Sequence, residues 1–217
     1  TLVNIARNCN FPFKLNQSEA FKKQAALSAK VIIDEWHPDI VVAPSRHTIS
    51  LMQQYAKGSL IGFIGGNTFS ERKNINYIQE KENIFFSSGK LVESFAEWKQ
   101  EYLNLQSTVD MLFWLNPIGI KGWNDSEAIS FILKNTRIPT GASTDSEIRF
   151  ALIGATKVAA EQGLWAGKTA LRILKGESPS NIPIKRNRHS QLYINEELSK
   201  KMGIIFPPEL LERAKIF

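Results

Sequence analysis

Three stretches of the chain combine glycine freedom with neutral hydrogen-bonding side chains, each just after a short apolar run. The first is Gly65-Gly66-Asn67-Thr68-Phe69-Ser70-Glu71-Arg72. Its glycines allow a ligand to approach the backbone, and the N–H groups of the following helix start suit an anionic or carbonyl oxygen. Asn67, Thr68 and Ser70 add donors. The same residues also read as an ordinary strand–turn–helix joint, with Thr68 or Ser70 as the cap. No Gly-Lys-Ser/Thr follows the glycines, so this is not a nucleotide-binding Walker loop.

The second stretch runs from Asn116 through Pro117, Gly119 and Gly122 to Trp123, Asn124 and Asp125. It is long for a strand-to-helix turn. Trp123 there is either the wall of a pocket or an anchor packed beneath its own loop. Asn124 or Asp125 caps the next helix. The third stretch, Thr140-Gly141-Ala142-Ser143-Thr144-Asp145, is polar. The expected ligand-binding residues are therefore Asn67, Thr68, Ser70, Asn116, Trp123 and Thr140.

Catalytic constellations are poor. His37, His47 and His189 have no nucleophile or metal-ligand partner at a known spacing, and neither Gly-x-Ser-x-Gly nor His-Glu-x-x-His occurs. Glu196-Glu197 reads as first-turn helix charge, and Glu161-Gln162 reads as a solvated helix face. The single cysteine, Cys9, excludes an internal disulfide and any cysteine-based zinc site. No catalytic residue, metal or cofactor is expected.

The elements that must position these loops follow from the apolar pattern. Strands are expected at Asp39–Ala43, Leu60–Gly65, Asn83–Phe86, Val109–Leu115 and Ile138–Thr140. Helices are expected from Ser18 to Trp36, Thr48 to Lys57, Ser94 to Gln106, Asn124 or Asp125 to Asn135, and Thr156 to Leu174 with Gly176 as its C′ glycine. Asn195 opens a further helix closed at Gly203, and Pro207-Pro208-Glu209 opens the last. Short strands alternating with helices argue for an α/β fold with a covered parallel sheet.

The chain has 217 residues, 43% of them hydrophobic and 22% charged, as in globular proteins and unlike disordered ones. No apolar run reaches the ~20 residues that cross a bilayer. The formal charge of +6 is spread along the chain. Its one compact cluster, Lys185 to His189, lacks interleaved aromatics, so it reads as solvated surface and no nucleic-acid partner is expected. The start at Thr1, without methionine, basic n-region or apolar h-region, reads as trimmed, with a signal peptide removed.

The stretch Ala151–Gly176, with Ser178–Pro183 and Asn195–Pro207, resembles the C-terminal segment of the ABC-transporter substrate-binding-protein family with a type I periplasmic-binding fold. Ser94-Phe-Ala-Glu-Trp98-Lys and Val109-Asp110 resemble its second lobe. The resemblance runs from about Leu60 to Phe217. It implies two lobes. The first, over 1–58, is incomplete: either much of it is lost, or residues are missing at a break near Pro44/Ser45. A second α/β lobe covers 59–176, and a C-terminal segment, 177–217, braces the lobes. It further implies a periplasmic or extracytoplasmic solute-binding protein, not an enzyme. Such a protein binds a small polar molecule such as an amino acid in an interlobe cleft and delivers it to a membrane permease. The same lobes also serve as ligand-sensing domains read by a signalling partner.

Overall fold

A computed structural model describes residues 44–183 and 189–217. The expected helix Ser18–Trp36, the expected strand Asp39–Ala43 and most of the Lys185–His189 cluster lie outside the described residues. The chain divides into two units, Val42–Val158 with Arg188–Phe217 and Thr1–Val41 with Ala159–Asn187.

Among the described residues, the first of these units contains a seven-stranded sheet in the order β2-β1-β3-β4-β5-β6-β7. The strands are β1 (Ile61–Gly66), β2 (Ser88–Val92), β3 (Met111–Trp114), β4 (Thr140–Ala142), β5 (Ile153–Lys157), β6 (Ser190–Ile194) and β7 (Ala214–Ile216). All neighbouring pairs are parallel except β5 with β6. The helices are α1 (Pro44–Gln53), α2 (Phe69–Lys81), α3 (Phe95–Thr108), α4 (Asp125–Asn135), α6 (Glu196–Met202) and α7 (Pro208–Leu211). Helix α5 (Ala159–Leu174) belongs to the other unit. It ends near Gly176, whose φ is 95°, as the sequence led us to expect.

Strand β3 is buried along its whole length, as a central parallel strand covered on both faces must be. Side chains start the helices where expected. Thr68, Ser94 and Asn124 each accept a hydrogen bond from the backbone N–H of the glutamate three residues on, Glu71, Glu97 and Glu127. Asn195 caps α6 through Leu198 N–H, and Gly203 closes it with φ 65°.

Several boundaries differ from expectation. The strand expected at Asn83–Phe86 is irregular chain, with Asn83 at φ 53°, and β2 forms instead at Ser88–Val92. Ser-Gly-Lys-Leu-Val has little strand propensity. It forms because the sheet edge pairs Gly62–Gly66 with Ser88–Val92. Gly141 does not open a loop. It sits within β4, where a Cβ would come within 2.6 Å of Thr48 and 2.5 Å of Met52 on α1. Helix α1 begins at Pro44, four residues before expectation, and ends at Gln53 rather than Lys57. The break expected near Pro44/Ser45 falls in the first turn of this helix. Thr156, expected to start a helix, lies in β5. Within the segment 177–217, Ser190–Ile194 and Ala214–Ile216 supply β6 and β7 to this sheet.

Beneath the sheet's carboxyl end lies an aromatic cluster. Trp98 is fully buried, stacks on Tyr102 at 5.1 Å between ring centroids and lies 5.4 Å from Trp114. Trp114 stacks on Phe150 at 5.4 Å. The Tyr102 hydroxyl bonds to Thr136 at 2.7 Å, which ties α3 to the end of α4.

Thr48 offers a direct check of this packing. Its buried hydroxyl donates to Ala142 O at 3.1 Å and accepts from Ala155 N at 3.0 Å, so α1 bridges β4 and β5. Thr48→Val keeps the shape and removes the hydroxyl from both backbone groups. We expect it to lower the urea-unfolding free energy by about 2–3 kcal/mol with an unchanged slope.

Candidate functional site

In open parallel sheets ligands bind beyond the carboxyl ends of the strands, where the strand order reverses. Here the reversal falls between β1 and β3. The loops after these two strands pack directly against each other. Gly66 N–H donates to Asn116 O at 2.8 Å, and a Cβ on Gly66 would sit 2.2 Å from Ile118 O. Gly119, at φ 94°, brings the second loop against the Thr68 methyl group. The glycines of the first loop therefore serve loop-to-loop contact.

The second loop is held on its other side as well. Lys121 N–H donates to Glu93 O at 2.8 Å, and Phe95 N–H donates to Lys121 O at 3.0 Å. Within the loop, Asn116 Oδ1 accepts from Ile118 N–H at 2.8 Å. Trp123 is half-buried, and its ring makes edge contacts with Phe95 and Trp98 at 5.1 Å and with Phe150 at 5.5 Å. Its indole N–H donates to Asp125 Oδ1 at 2.7 Å. Trp123 is thus packed against the core rings beneath its own loop, and it also borders the cleft beside that loop.

A cleft of about 440 Å³ opens beside this loop. It is lined by residues 116–120, Trp123 and Asp125 on one side and by Ser146 and Arg149 from the β4–β5 connection on the other. Of the six expected ligand residues, the structure brings two together here, Asn116 and Trp123. Asn67 is exposed, donates to Glu93 at 3.2 Å and accepts from Arg72. Thr68 is the cap of α2. Ser70 lies on α2, in a shallow groove with Lys73, Asn74, Asn76, Tyr77 and Glu80. Thr140 is fully buried in β4, and its hydroxyl accepts from Leu152 N–H at 2.9 Å, so it ties two strands together and does not face the cleft.

Two buried carboxyl groups stand behind the cleft. Glu71, although it sits at the third position of α2, accepts from the backbone N–H of Asn116 and from Asn74 Nδ2. Glu147 accepts from the Ser146 hydroxyl at 2.6 Å. Each acid thus holds one residue of the cleft lining. Burial pushes both carboxyls above the ordinary range, and the charge of Glu71 pushes Glu147 further. Sequence reasoning missed Ser146, Arg149, Glu71 and Glu147. The one available signal was the glutamate at the third helical position of α2, which reads as a capping residue.

A carboxyl with a folded-state pKa above its unfolded value contributes stability at low pH that is lost as pH rises through the folded pKa. Glu147→Gln, which keeps an acceptor for Ser146, is therefore expected to raise the melting temperature at about pH 7.5. It should give little or no gain near pH 4, where the wild-type carboxyl is already neutral. Differential scanning calorimetry at the two pH values checks the sign.

The comparisons with known proteins agree with this architecture. The ABC transporter substrate binding protein family matches residues 102–216, more than half of the chain. No curated protein matches the chain. Among solved structures, it is similar to the ligand-free, open form of CD0873, a substrate binding protein with adhesive properties from Clostridium difficile. That match has a TM-score of 0.62 at 20% identity and covers 79% of this chain and 59% of the other. A second is the ABC domain in complex with L-Trp from Streptococcus pneumonia, with a TM-score of 0.52 at 17% identity over 80% of this chain and 60% of the other. A conserved domain protein from Vibrio cholerae matches at a TM-score of 0.51, 17% identity and the same coverage. The chain thus spans about three fifths of the length of these structures. At such identities they show the fold. With more than half of its length matched to one family, the chain belongs to the ABC transporter substrate binding protein family.

Proposed function

We propose that this chain acts as an extracytoplasmic solute-binding protein of an ABC-type uptake system. It binds a small polar molecule such as an amino acid and hands it to a membrane permease without transforming it. The site is the cleft of about 440 Å³ beside the β3–α4 loop. The observation that carries this reading is a concave site already held in shape before any ligand arrives. The loop is pinned by backbone hydrogen bonds on two sides, and its Trp123 is locked against three core rings. Pre-organisation of this kind lowers the ordering cost of binding. The volume lies within the range that holds small ligands. Family membership supports the solute-binding role, and a relative's complex with L-Trp supports the amino-acid class. Among the described residues, no helix is long and apolar enough to cross a membrane.

A thermal-shift screen of amino acids, sugars and other small metabolites on the purified chain tests the reading. A solute at a hundredfold excess over its dissociation constant stabilises the fold by about 2.7 kcal/mol, which such a screen detects. Trp123→Ala should weaken that solute by about 1–3 kcal/mol as the wall is lost. The ligand-free protein should also lose about 3 kcal/mol, because the same ring is a core contact. A flat screen together with measured turnover would replace solute binding with catalysis.

A further inference from the structure

Among the described residues, two charged side chains line the cleft, and they form a pair. Arg149 Nη2 lies 2.9 Å from Asp125 Oδ2, with about half of each side chain exposed. An ion pair so open to water adds little to fold stability. Its placement is nevertheless fixed. The guanidinium carbon of Arg149 lies 4.9 Å from the centre of the Phe150 ring, and the second oxygen of Asp125 accepts from the Trp123 indole N–H. Two aromatic side chains of the core cluster thus hold the pair at the edge of the cleft.

Resting on the solute-binding reading above, we propose that the Asp125–Arg149 pair recognises the zwitterionic head group of an α-amino acid. The ammonium group docks on Asp125 and the carboxylate on Arg149. A carboxylate offers about four acceptor positions, and Asp125 commits two of them, to Trp123 and Arg149. The rest remain for an ammonium group. Arginine has five donors in a planar fork suited to carboxylate oxygens, and the bond to Asp125 takes one. A zwitterion carries its two charges one carbon apart, which matches a pair already in contact. Its side chain then lies over the remaining lining of Pro117, Ile118, Ile120 and Trp123, which is mainly apolar. A sugar or other uncharged solute offers hydroxyls to the pair but no charge to either member. Arg149 and Asp125 are in this account the residues that set specificity.

Isothermal titration of the whole chain tests this. The probes are the twenty L-amino acids, the decarboxylated amine and the deaminated acid of each that binds, and D-glucose and uridine as uncharged solutes. The expected result is that at least one amino acid binds at least tenfold more tightly than both its amine and its deaminated acid. Arg149→Gln should bring the amino acid down to the affinity of its amine-only analogue. Asp125→Asn, which keeps an oxygen for the Trp123 indole, should bring it down to that of the deaminated acid. Equal affinity of the unmodified protein for the amino acid and either analogue overturns the proposal, whatever the variants do. So does retention of full discrimination in both variants. Binding of an uncharged solute with no amino acid bound overturns it and leaves the solute-binding reading standing. Binding of no solute of any class removes both.

Discussion

The stacked aromatic cluster of Trp98, Trp114, Phe150 and Trp123 is the contact on which the rest of the structure depends. Each ring comes from a different part of the chain: helix α3, strand β3, the connection before β5, and the loop after β3. Large rings bury much surface and hold their geometry through edge and stacked contacts. Through Trp123 the cluster reaches from the core into the cleft lining. The wall of the cleft is therefore tied to the interior beneath it, although it belongs to a loop.

The same economy shows in the contact between the loops after β1 and β3. A position where the strand order reverses would ordinarily leave a crevice, but here Gly66 lets the two loops close on each other. The open space lies instead one strand further along, between the β3–α4 loop and the β4–β5 connection. Glu71 and Glu147 hold residues of both sides from behind. Burying two neighbouring carboxyls disfavours their charged forms, so the backing of the cleft is ordered at some expense of stability at neutral pH.

Much of the fold was legible in the sequence, for local reasons. Ser94, Asn124, Asn195 and Gly203 act within one helical turn, so their types marked helix ends correctly. The continuous apolar run at Met111–Trp114 marked the central strand. Strand β2 was not legible, because Ser-Gly-Lys-Leu-Val becomes a strand through its edge pairing with β1 and not through its own propensity. Of the site, Asn116 and Trp123 were legible from a long loop that follows a buried strand. Asp125 read only as a helix cap, and Arg149 and Ser146 had no local signal, since the fold alone brings residues 146–149 across from 116–125. Thr140 read as a loop donor because Gly141 beside it looked like a turn, whereas that glycine marks the close approach of α1. Burial of Glu71 and Glu147 is likewise a property of the assembled unit.

The central claim is that solute binds at the β3–α4 loop. Amide NMR of the isotope-labelled protein, titrated with a solute that stabilises it, tests that claim most directly. We expect the largest shifts at the Trp123 indole N–H, the amides of Asn116, Ile118 and Ile120, and the amide of Ser146. Shifts confined to the groove of α2 around Ser70, Asn74 and Tyr77, with the β3–α4 loop unmoved, would contradict the account.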